Sequence, residues 1–519
     1  MFYLTTAIDY TNGKPHIGHA YEKVLADVLV RYRRLRGDEA YFLTGVDQHG
    51  QKVQQTAEKE GVAPAEFVAR VTQSFLDLWQ KLGVHYDGWA ATTDPRHKVC
   101  VQAILSDLMA KGQLYKKAHS GHYSVRQEQF LTDRDRDESG NFGPEWGEVV
   151  ELVEENWYFK LSEHTAWLKK YLESTADAVI PAFRKAELLN ALERNPDTDL
   201  CISRPKERLH WGIEIPFDTD FVTYVWFDAL INYVSFAGYQ AAADAGLPDF
   251  DTLWTADERP VHIIGKDILV PAHGIYWLCM LHAMGIPNER MPRLLVHGWW
   301  NIRGENMSKS LGNIVDPDEL AETFGVEALR YYLVRDIVTG RDSDFDIERL
   351  VMLFNTELAN ELGNLCNRAL NMSQRYTGGA ITRGGTFHDA DLALQESLAD
   401  STTAYREAMD AFDVSKGLEA IGRHVVHCNQ YAERMKPWEL AKDPEKSARL
   451  ATVLQHLVES VAHCTVLLSP VLPAAAEKLA AQLNLPELTE LGLHELRWGL
   501  IPEGHVIGKP APVFPRIVV

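Results

Sequence analysis

The 519-residue sequence exceeds what one hydrophobic core usually serves, so it predicts two to four domains. With 46% hydrophobic and 24% charged residues its composition is ordinary for a globular protein, and its apolar runs are too short for a membrane span, which argues against a membrane protein. The net charge of −21, taken alone, argues against a nucleic-acid partner, although a large acidic protein can still carry one basic face.

The first elements follow a βαβ pattern. A strand-like run at 2–7 leads through a turn at Asn12-Gly13 into a helical pattern at about 17–36, and a second strand-like run follows at 39–44. This order of elements is typical of a parallel sheet. The start of the chain has neither the basic region nor the cleavage site of a signal peptide, so none is expected.

A second pattern of this kind lies much further along the chain. It consists of a strand-like run at 261–265, a helical pattern at 275–284 and a strand-like run at 294–297. The intervening segment differs in character, and 132–146 is rich in charged residues, glycine and proline. The sequence therefore predicts a split, nucleotide-binding parallel sheet into which another domain is inserted.

The last third of the chain is predicted to be helical. From about Arg349 onward strand patterns fade, and apolar residues such as Leu418, Ile421 and Val425 recur at helical spacing. The predicted fold is therefore α/β, with a split Rossmann-type parallel-sheet domain and an inserted domain, followed by an all-α helical bundle.

The tetrapeptide His16-Ile17-Gly18-His19 stands at the predicted start of the first long helix. Free backbone N–H groups and the helix dipole make such a terminus a good anion site. Gly18 leaves room for a base or ribose near the backbone, and two imidazoles can donate hydrogen bonds to phosphate oxygens. Two histidines that only cap the helix are the alternative interpretation.

A second polar motif, Asn306-Met307-Ser308-Lys309-Ser310, follows the second α/β pattern. A mobile Ser/Lys/Gly loop can bring a charge onto ATP phosphates and close over a reaction. An exposed polar turn is the alternative, but two such motifs flanking a split sheet favour an ATP site.

These motifs resemble the HIGH and KMSKS signatures of the class I aminoacyl-tRNA synthetases. The first is intact, whereas Asn306 replaces the first lysine of the second; Lys309, the lysine that this family ties most closely to the transition state, is present. Further segments resemble the methionyl-tRNA synthetase family, and the resemblance runs from about residue 3 to about residue 470. They are 7–13 (AIDYTNG), 44–50 (TGVDQHG), 225–233 (VWFDALINY) and 264–268 (IGKDI).

The resemblance implies an enzyme that activates methionine with ATP, as its Mg²⁺ complex, and transfers it to tRNA. The implied catalytic residues are His16, His19 and Lys309. The implied ATP-binding residues are Gly18, Glu22, Gly265, Asp267, Ile268, His297, Met307 and Lys309.

The resemblance also implies a methionine pocket. Its implied residues are Ala7, Ile8, Tyr10, Asp47, Trp226, Tyr233, His273 and Trp277. Such a pocket is expected to be apolar and aromatic, since a thioether packs well near ring edges. Asp47 is expected to pair with the ammonium group, and a buried Tyr–His hydrogen bond beside the sulfur is expected to aid discrimination. Taken singly, each aromatic residue is more typical of an ordinary core than of a ligand pocket.

In the helical third, Asn364 and Arg368 are four residues apart on one helix face, and Trp438 ends another helix. In the family such residues bind the CAU anticodon by stacking and base-edge hydrogen bonds. The resemblance therefore implies the initiator and elongator methionine tRNAs as partners. Without it, a surface Asn/Arg pair and a half-buried tryptophan would be the preferred interpretation.

Related enzymes often carry cysteine-rich zinc knuckles in the insert, whereas 122–159 contains no cysteine. None of the six cysteines forms a C-x-x-C pair, so buried free thiols in a cytoplasmic protein are expected. No structural zinc or other bound metal is expected.

The implied domains comprise two Rossmann halves, a connective insert, a linker with the KMSKS-like loop and an anticodon-binding domain. In chain order, their ranges are 1–116 (first half), 117–210 (insert), 211–295 (second half), 296–348 (linker) and 349–519 (anticodon binding). The chain stops where some relatives add a dimerisation domain, so a monomer is expected.

Other functions remain open at this point. Synthetases for Ile, Val or Leu usually carry a larger editing insert, and a cysteinyl enzyme needs thiolate ligands that are missing. A non-enzymatic RNA-binding or scaffold paralogue is favoured only by Asn306. A small-molecule adenylyltransferase with the same fold would leave Asn364, Arg368 and Trp438 without a purpose.

Overall fold

A computed structural model describes residues 1–125, 129–137, 139–194, 198–302, 305–306 and 315–518. Within them the strands are β1 (Phe2–Thr6), β2 (Asp9–Tyr10), β3 (Ala40–Asp47), β4 (Gly88–Ala91), β5 (Leu114–Ser124), β6 (Gln129–Leu131), β7 (Val149–Phe159), β8 (Val179–Ile180), β9 (Leu200–Cys201), β10 (Ser203–Pro205), β11 (Glu214–Ile215), β12 (Asp218–Thr223), β13 (Val261–Gly265), β14 (Arg293–His297), β15 (Trp300–Ile302), β16 (Glu305–Asn306), β17 (Ser343–Asp344), β18 (Ala380–Ile381) and β19 (His505–Val506).

The α-helices are α1 (Ile17–Arg36), α2 (Gln51–Glu60), α3 (Pro64–Lys81), α4 (Pro95–Ala110), α5 (Thr165–Ser174), α6 (Ala182–Arg194), α7 (Val225–Leu230), α8 (Asn232–Ser235), α9 (Phe250–Leu253), α10 (Leu278–Met284), α11 (Pro317–Phe324), α12 (Val326–Asp336), α13 (Ile347–Leu353), α14 (Gly363–Thr377), α15 (Asp389–Asp410), α16 (Val414–Met435), α17 (Pro437–Leu440), α18 (Ser447–Leu468) and α19 (Pro473–Leu483). Two wider π-helical segments are Leu269–Trp277 and Phe354–Leu362.

A parallel sheet forms the core of the first domain. The strands β3, β1, β13, β14 and β8 lie side by side in that order, and β4 and β2 also pair with β3. The early strand β3 thus lies on one side of β1, and the much later strands β13 and β14 lie on the other side. This arrangement confirms the predicted split sheet. In open α/β sheets ligands bind beyond the carboxyl ends of the strands at such a switch point.

The inserted segment folds largely as an antiparallel sheet, ordered β6-β5-β7-β9. Within the same stretch, however, β8 pairs in parallel with β14 and extends the split sheet. The range 117–210 thus also contributes an edge strand to the first domain. A two-residue strand is too short to leave a periodic pattern in the sequence.

Helix α1 occupies the predicted range and is buried along most of its length. His16 caps its N-terminus, and Gly37, with a φ of 98°, ends it in the left-handed conformation that favours glycine. Polar side chains in its middle, Glu22, Lys23 and Asp27, are buried as well. Each of them must therefore find a partner inside the protein.

The C-terminal third is a helical bundle, as predicted, in which α18 packs against α14, α16 and α19. One helical segment of the described residues, Pro444–Leu468, is long and apolar enough to cross a membrane by length and composition, which the sequence analysis did not expect. Its apolar window is 94% buried inside the protein. A helix packed against other helices on several sides buries apolar residues on more than one face, which explains the composition.

Arg330 on α12 joins the first domain to the bundle. Its guanidinium is 1% exposed and donates to Asp27 Oδ2 on α1 at 2.7 Å. It also donates to the backbone oxygens of Leu82 at 3.1 Å, Pro470 at 3.2 Å and Val471 at 3.0 Å. One buried side chain therefore holds α1, the end of α3 and the α18–α19 connection together.

We expect Arg330→Gln to destabilise the protein by about 3–5 kcal/mol, because backbone oxygens at Leu82, Pro470 and Val471 lose a buried donor and Asp27 keeps only Arg31 as an ionic partner. Urea denaturation followed by circular dichroism measures the loss. Arg70→Gln is the matched control, since Arg70 pairs with Glu60 at the exposed surface, where such pairs contribute about 0–1 kcal/mol. Equal effects of the two substitutions would contradict the role assigned to Arg330.

Candidate active site

A cavity of about 630 Å³ opens at the carboxyl ends of β1 and β13, at the switch point of the sheet. It brings together residues that are far apart in the sequence, including most of those predicted for ATP and methionine. Those predicted residues are Ala7, Ile8, Tyr10, His16, Gly18, His19, Glu22, Asp47, Trp226, Tyr233, Gly265, Asp267, Ile268, His273 and His297.

The two histidines of the first motif cap α1 reciprocally. The Gly18 backbone N–H donates to His16 Nδ1, and the His16 backbone N–H donates to His19 Nδ1, both at 3.1 Å. The ring centroids lie 3.8 Å apart. Because each Nδ1 is an acceptor, each ring carries its proton on Nε2, where it is a donor. Both histidines therefore cap the helix, and a cap made through Nδ1 is compatible with donation from Nε2 to a phosphate.

A steric contact inside the motif explains why residue 18 is a glycine. A Cβ on this residue would lie 2.9 Å from Cε1 of His16, which is closer than real Cβ atoms come to a neighbouring atom. The glycine thus lets the His16 ring fold over the first turn of α1. Sequence reasoning attributed the glycine to space for a ligand and missed this contact.

A buried ionic network continues along α1. Lys23 Nζ lies 2.8 Å from Asp9 Oδ1 and 2.7 Å from Glu22 Oε1, and Glu22 Oε2 lies 3.0 Å from His297 Nε2. Burial raises the pKa of Asp9 to about 7, although Lys23 opposes the shift. Burial also opposes ionisation of Glu22, but Lys23 and His297 outweigh it and lower the pKa of Glu22.

Sequence reasoning missed Asp9 and Lys23. Lys23 also donates to the backbone oxygen of Ala7 at 3.1 Å, so it fixes the segment between β1 and β2 against α1. The available signal was a lysine inside an otherwise apolar helix face.

Asp47 ends β3 on the other side of the cavity. Its backbone oxygen accepts hydrogen bonds from the N–H and the hydroxyl of Thr11, both at 2.9 Å. Its Oδ1 lies 3.4 Å from both the Thr92 hydroxyl and the His49 backbone nitrogen. These contacts fix a carboxylate that is 6% exposed at the cavity wall.

The segment after Asp47 is tied to α7 by a buried chain that sequence reasoning also missed. His49 Nδ1 lies 2.6 Å from Asp228 Oδ2, and His97 Nε2 lies 2.8 Å from Asp228 Oδ1. Burial disfavours the charge on Asp228, but the two histidines outweigh it and lower the pKa of Asp228. These contacts therefore fix the segment after Asp47 relative to α7, the helix that carries Trp226.

The predicted Tyr–His hydrogen bond is present. Tyr233 Oη and His273 Nε2 lie 2.7 Å apart, and His273 Nδ1 faces the Ile268 backbone oxygen at 3.0 Å. Burial lowers the pKa of His273 to about 4, so the ring is neutral near pH 7. Nδ1–H then donates to the carbonyl and Nε2 accepts from the tyrosine hydroxyl.

Trp277 is placed differently from the rest of the predicted methionine set. It does not line the cavity but packs behind Tyr233, with ring centroids 5.6 Å apart. Helical periodicity marks a residue as inward-facing and cannot separate the cavity wall from the layer behind it.

The strand end of β13 forms the remaining wall. Gly265 and Asp267 lie there, and the Trp299 indole Nε1 is 3.0 Å from Asp267 Oδ1. Trp299 and the neighbouring Trp300 line the same cavity, and neither was predicted. Met307 and Lys309 lie outside the described residues, whereas the Asn306 backbone pairs with Asn301 in a small sheet.

The predicted residues of the helical third also come together. Arg368 stands 5.2 Å from the ring centroid of Trp438 and 2.8 Å from Glu433 Oε1. Asn364 and Arg368 line a surface pocket on α14 and α16 together with further amide side chains, namely Asn360, Asn429 and Gln430. This pocket is distinct from the cavity of the first domain.

Among the described residues, no group of three or more His, Cys, Asp or Glu side chains is arranged to hold a metal ion. All six cysteines are free thiols, and five of them are buried.

Comparison with known proteins agrees with this arrangement. The family model described as tRNA synthetases class I (M) matches residues 2–139 and 147–370, and the model for the anticodon binding domain of methionyl tRNA ligase matches residues 381–518. The methionine–tRNA ligase of Fusobacterium nucleatum is 38% identical and aligns with 100% of this chain and 80% of its own. That of Bacillus subtilis is 37% identical, over 99% and 78% of the two chains.

Solved structures show the same similarity. Mycobacterium tuberculosis methionyl-tRNA synthetase bound by methionyl-adenylate superposes with a TM-score of 0.90 at 34% identity, covering 99% of this chain and 100% of the other. Its apo form gives a TM-score of 0.86 at 32% identity, covering 100% of this chain and 98% of the other. Since family models and relatives both match along most of its length, the chain belongs to the methionine–tRNA ligase family of class I aminoacyl-tRNA synthetases.

Proposed function

We propose that the cavity at the switch point is where this methionine–tRNA ligase forms methionyl-adenylate from L-methionine and ATP. The observation that carries this assignment is the meeting, around one cavity, of the capped N-terminus of α1, the Asp47 carboxylate and the Asp267 carboxylate. They match three needs of the reaction: donors for a phosphate, an acceptor for an ammonium group and an acceptor for ribose hydroxyls.

Methionine would bind between the Asp47 loop and the aromatic wall. Asp47 pairs with its ammonium group and turns its carboxylate toward the α-phosphate. Ala7, Ile8, Tyr10, Trp226 and Tyr233 surround the thioether, while the neutral Tyr233–His273 pair offers a fixed polar group beside the sulfur. Trp277 supports Tyr233 from behind.

ATP would bind as its Mg²⁺ complex along α1 and β13. Gly18, Gly265 and Ile268 flank the nucleoside, Asp267 and Glu22 face the ribose, and His297 holds Glu22 in place. A methionine carboxylate oxygen attacks the α-phosphorus as the bond to pyrophosphate breaks. His16 and His19 donate from Nε2 to the developing charge, and the family resemblance assigns Lys309 and Met307 of the KMSKS-like motif to ATP binding as well.

In the second step the terminal adenosine hydroxyl of tRNA(Met) attacks the carbonyl carbon of methionyl-adenylate, and AMP leaves. We assign selection of the CAU anticodon in both initiator and elongator tRNAs to the pocket of Asn364, Arg368 and Trp438. A tryptophan stacks an unpaired base, and amide and guanidinium groups bind base edges.

The domain ranges 1–116, 117–210, 211–295, 296–348 and 349–519 are proposed as the functional units of this enzyme. A monomeric, cytoplasmic protein without structural zinc stays a prediction. Sedimentation analysis and metal determination on the purified protein test the first and last of these.

We expect methionine-dependent ATP–pyrophosphate exchange, and we expect Lys309→Ala to reduce its rate by roughly 100-fold or more, because a charge that stabilises the transferring phosphoryl group is lost. The exchange assay with purified protein measures this. Lys169→Ala is the control, since Lys169 pairs with Glu193 at the exposed surface.

Leucine, isoleucine, valine and cysteine serve as alternative substrates in the same assay. Exchange with none of the five amino acids would refute the proposed activity and would favour a scaffold role, with Asn306 as the first residue to restore to lysine. Exchange with one of the other four would refute the specificity alone.

For the helical pocket, we expect Trp438→Ala to lower kcat/KM for tRNA(Met) by about 5- to 150-fold, since a base stacked on an aromatic ring contributes about 1–3 kcal/mol. Pyrophosphate exchange, which needs no tRNA, should stay unchanged. Aminoacylation kinetics measure the loss, and Arg70→Gln, far from α14, is the control. Equal loss in both assays would contradict a role confined to tRNA binding.

A further inference from the structure

Trp299 follows directly on β14 and Gly298, and its indole N–H donates to Asp267 Oδ1 at 3.0 Å. The indole is half-buried, whereas Asp267 belongs to the exposed residues at the mouth of the cavity. An exposed aspartate ordinarily samples several rotamers. A donor held at a fixed position therefore restricts the carboxylate to one of them.

The indole is itself held from other directions. The Trp299 backbone N–H donates to Asp342 Oδ1 at 2.9 Å. Lys266 Nζ lies 4.2 Å from the ring centroid and 2.5 Å from Asp342 Oδ2, so the aspartate that binds the Trp299 backbone also holds the lysine over the ring. A cation over the face of a tryptophan is favourable.

The backbone on both sides of this contact leaves little room for alternatives. A Cβ on Gly298 would lie 2.0 Å from the Arg341 backbone oxygen, so the chain before Trp299 packs directly on that loop. A Cβ on Gly265 would lie 2.5 Å from Asp267 Oδ1, so the carboxylate folds back over the glycine. Gly265 thus makes space for the carboxylate orientation that Trp299 holds.

The indole N–H occupies only one of the hydrogen-bond acceptor sites of the Asp267 carboxylate. Its two oxygens have about four lone-pair sites, so hydrogen bonds from two further hydroxyl groups can be accommodated. The contact therefore orients Asp267 without competing for all of its acceptor capacity.

We propose that Trp299 is a positioning residue that fixes the Asp267 carboxylate toward the ribose hydroxyls of ATP, and thereby sets the preference of this enzyme for ribonucleotides over deoxyribonucleotides. The inference rests on the proposed function, in which Asp267 binds the ribose. Holding the carboxylate in its binding orientation before ATP arrives removes an ordering cost from nucleotide binding.

Trp299→Phe isolates this role. Phenylalanine keeps an aromatic ring beneath Lys266 and the backbone hydrogen bond to Asp342, and it removes only the indole N–H and part of the ring. If Trp299 merely filled space, the substitution would lower the stability of the protein without changing its preference for nucleotides that carry both ribose hydroxyl groups.

The experiment is pyrophosphate exchange with ATP, 2′-deoxy-ATP and 3′-deoxy-ATP at saturating methionine. For Trp299→Phe we expect the ratio of kcat/KM for ATP to that for the deoxynucleotides to fall by about three- to tenfold, the effect of roughly one ordinary hydrogen bond at a solvent-exposed carboxylate. The loss should appear in KM for ATP, while KM for methionine stays within about twofold.

Two further variants separate the outcomes. Trp167→Phe is the matched control, because it also removes an indole hydrogen bond, to Asn288 Oδ1 at 3.0 Å, on a different surface. Asp267→Asn tests the underlying assignment and should abolish most of the discrimination. If Asp267→Asn loses it and Trp299→Phe retains the full ratio, the inference is overturned and the ribose assignment stands. If Asp267→Asn also retains the ratio, both fail.

Discussion

The buried ion pair between Asp27 and Arg330 is the contact on which the relative placement of the two halves of the molecule depends. Asp27 lies in the middle of α1, and Arg330 reaches it from α12 while also binding the backbone after α18. Two charges taken out of water are tolerated only when every polar atom around them is satisfied in one geometry. The pair, with Arg31 as the second partner of Asp27, therefore fixes how α1 packs against α12 and the α18–α19 connection.

The same helix connects this junction to the chemistry. At its N-terminus, His16 and His19 line the cavity. One turn further on, Lys23 ties Asp9 and the strand end to the helix. Near the C-terminus of the helix, Tyr32 Oη donates to Asp410 of the bundle at 2.7 Å. Since the helix is nearly rigid along its axis, a displacement at one of these contacts is felt at the others. The polar residues of α1 thus couple sites that the chain sequence separates widely.

Sequence reasoning succeeded where the determinants are local. The range of α1 and the strand at 261–265 follow from periodicity and end signals. Most of the ligand-binding residues that the family resemblance implied meet in one cavity because strand ends of a parallel sheet converge. It failed where a contact is set by tertiary packing. Which helices and strands become neighbours decides the Lys23–Asp9 contact, the Trp299–Asp267 contact and the layer in which Trp277 lies. A single sequence does not show which elements pack together.

The acidic charge of the chain, −21, conflicts with a polyanionic partner only if binding relies on net charge. In the helical pocket the guanidinium of Arg368 is paired with Glu433, and Glu361 and Arg434 also line the pocket. The remaining polar lining residues are uncharged amides: Asn360, Asn364, Asn429 and Gln430. In the proposed function, the amide edges and the Trp438 ring would bind bases rather than phosphates, and such contacts carry sequence selectivity without long-range attraction. Two carboxylates and two guanidinium groups line the pocket and balance each other, so the net charge of the whole chain does not decide what this pocket binds.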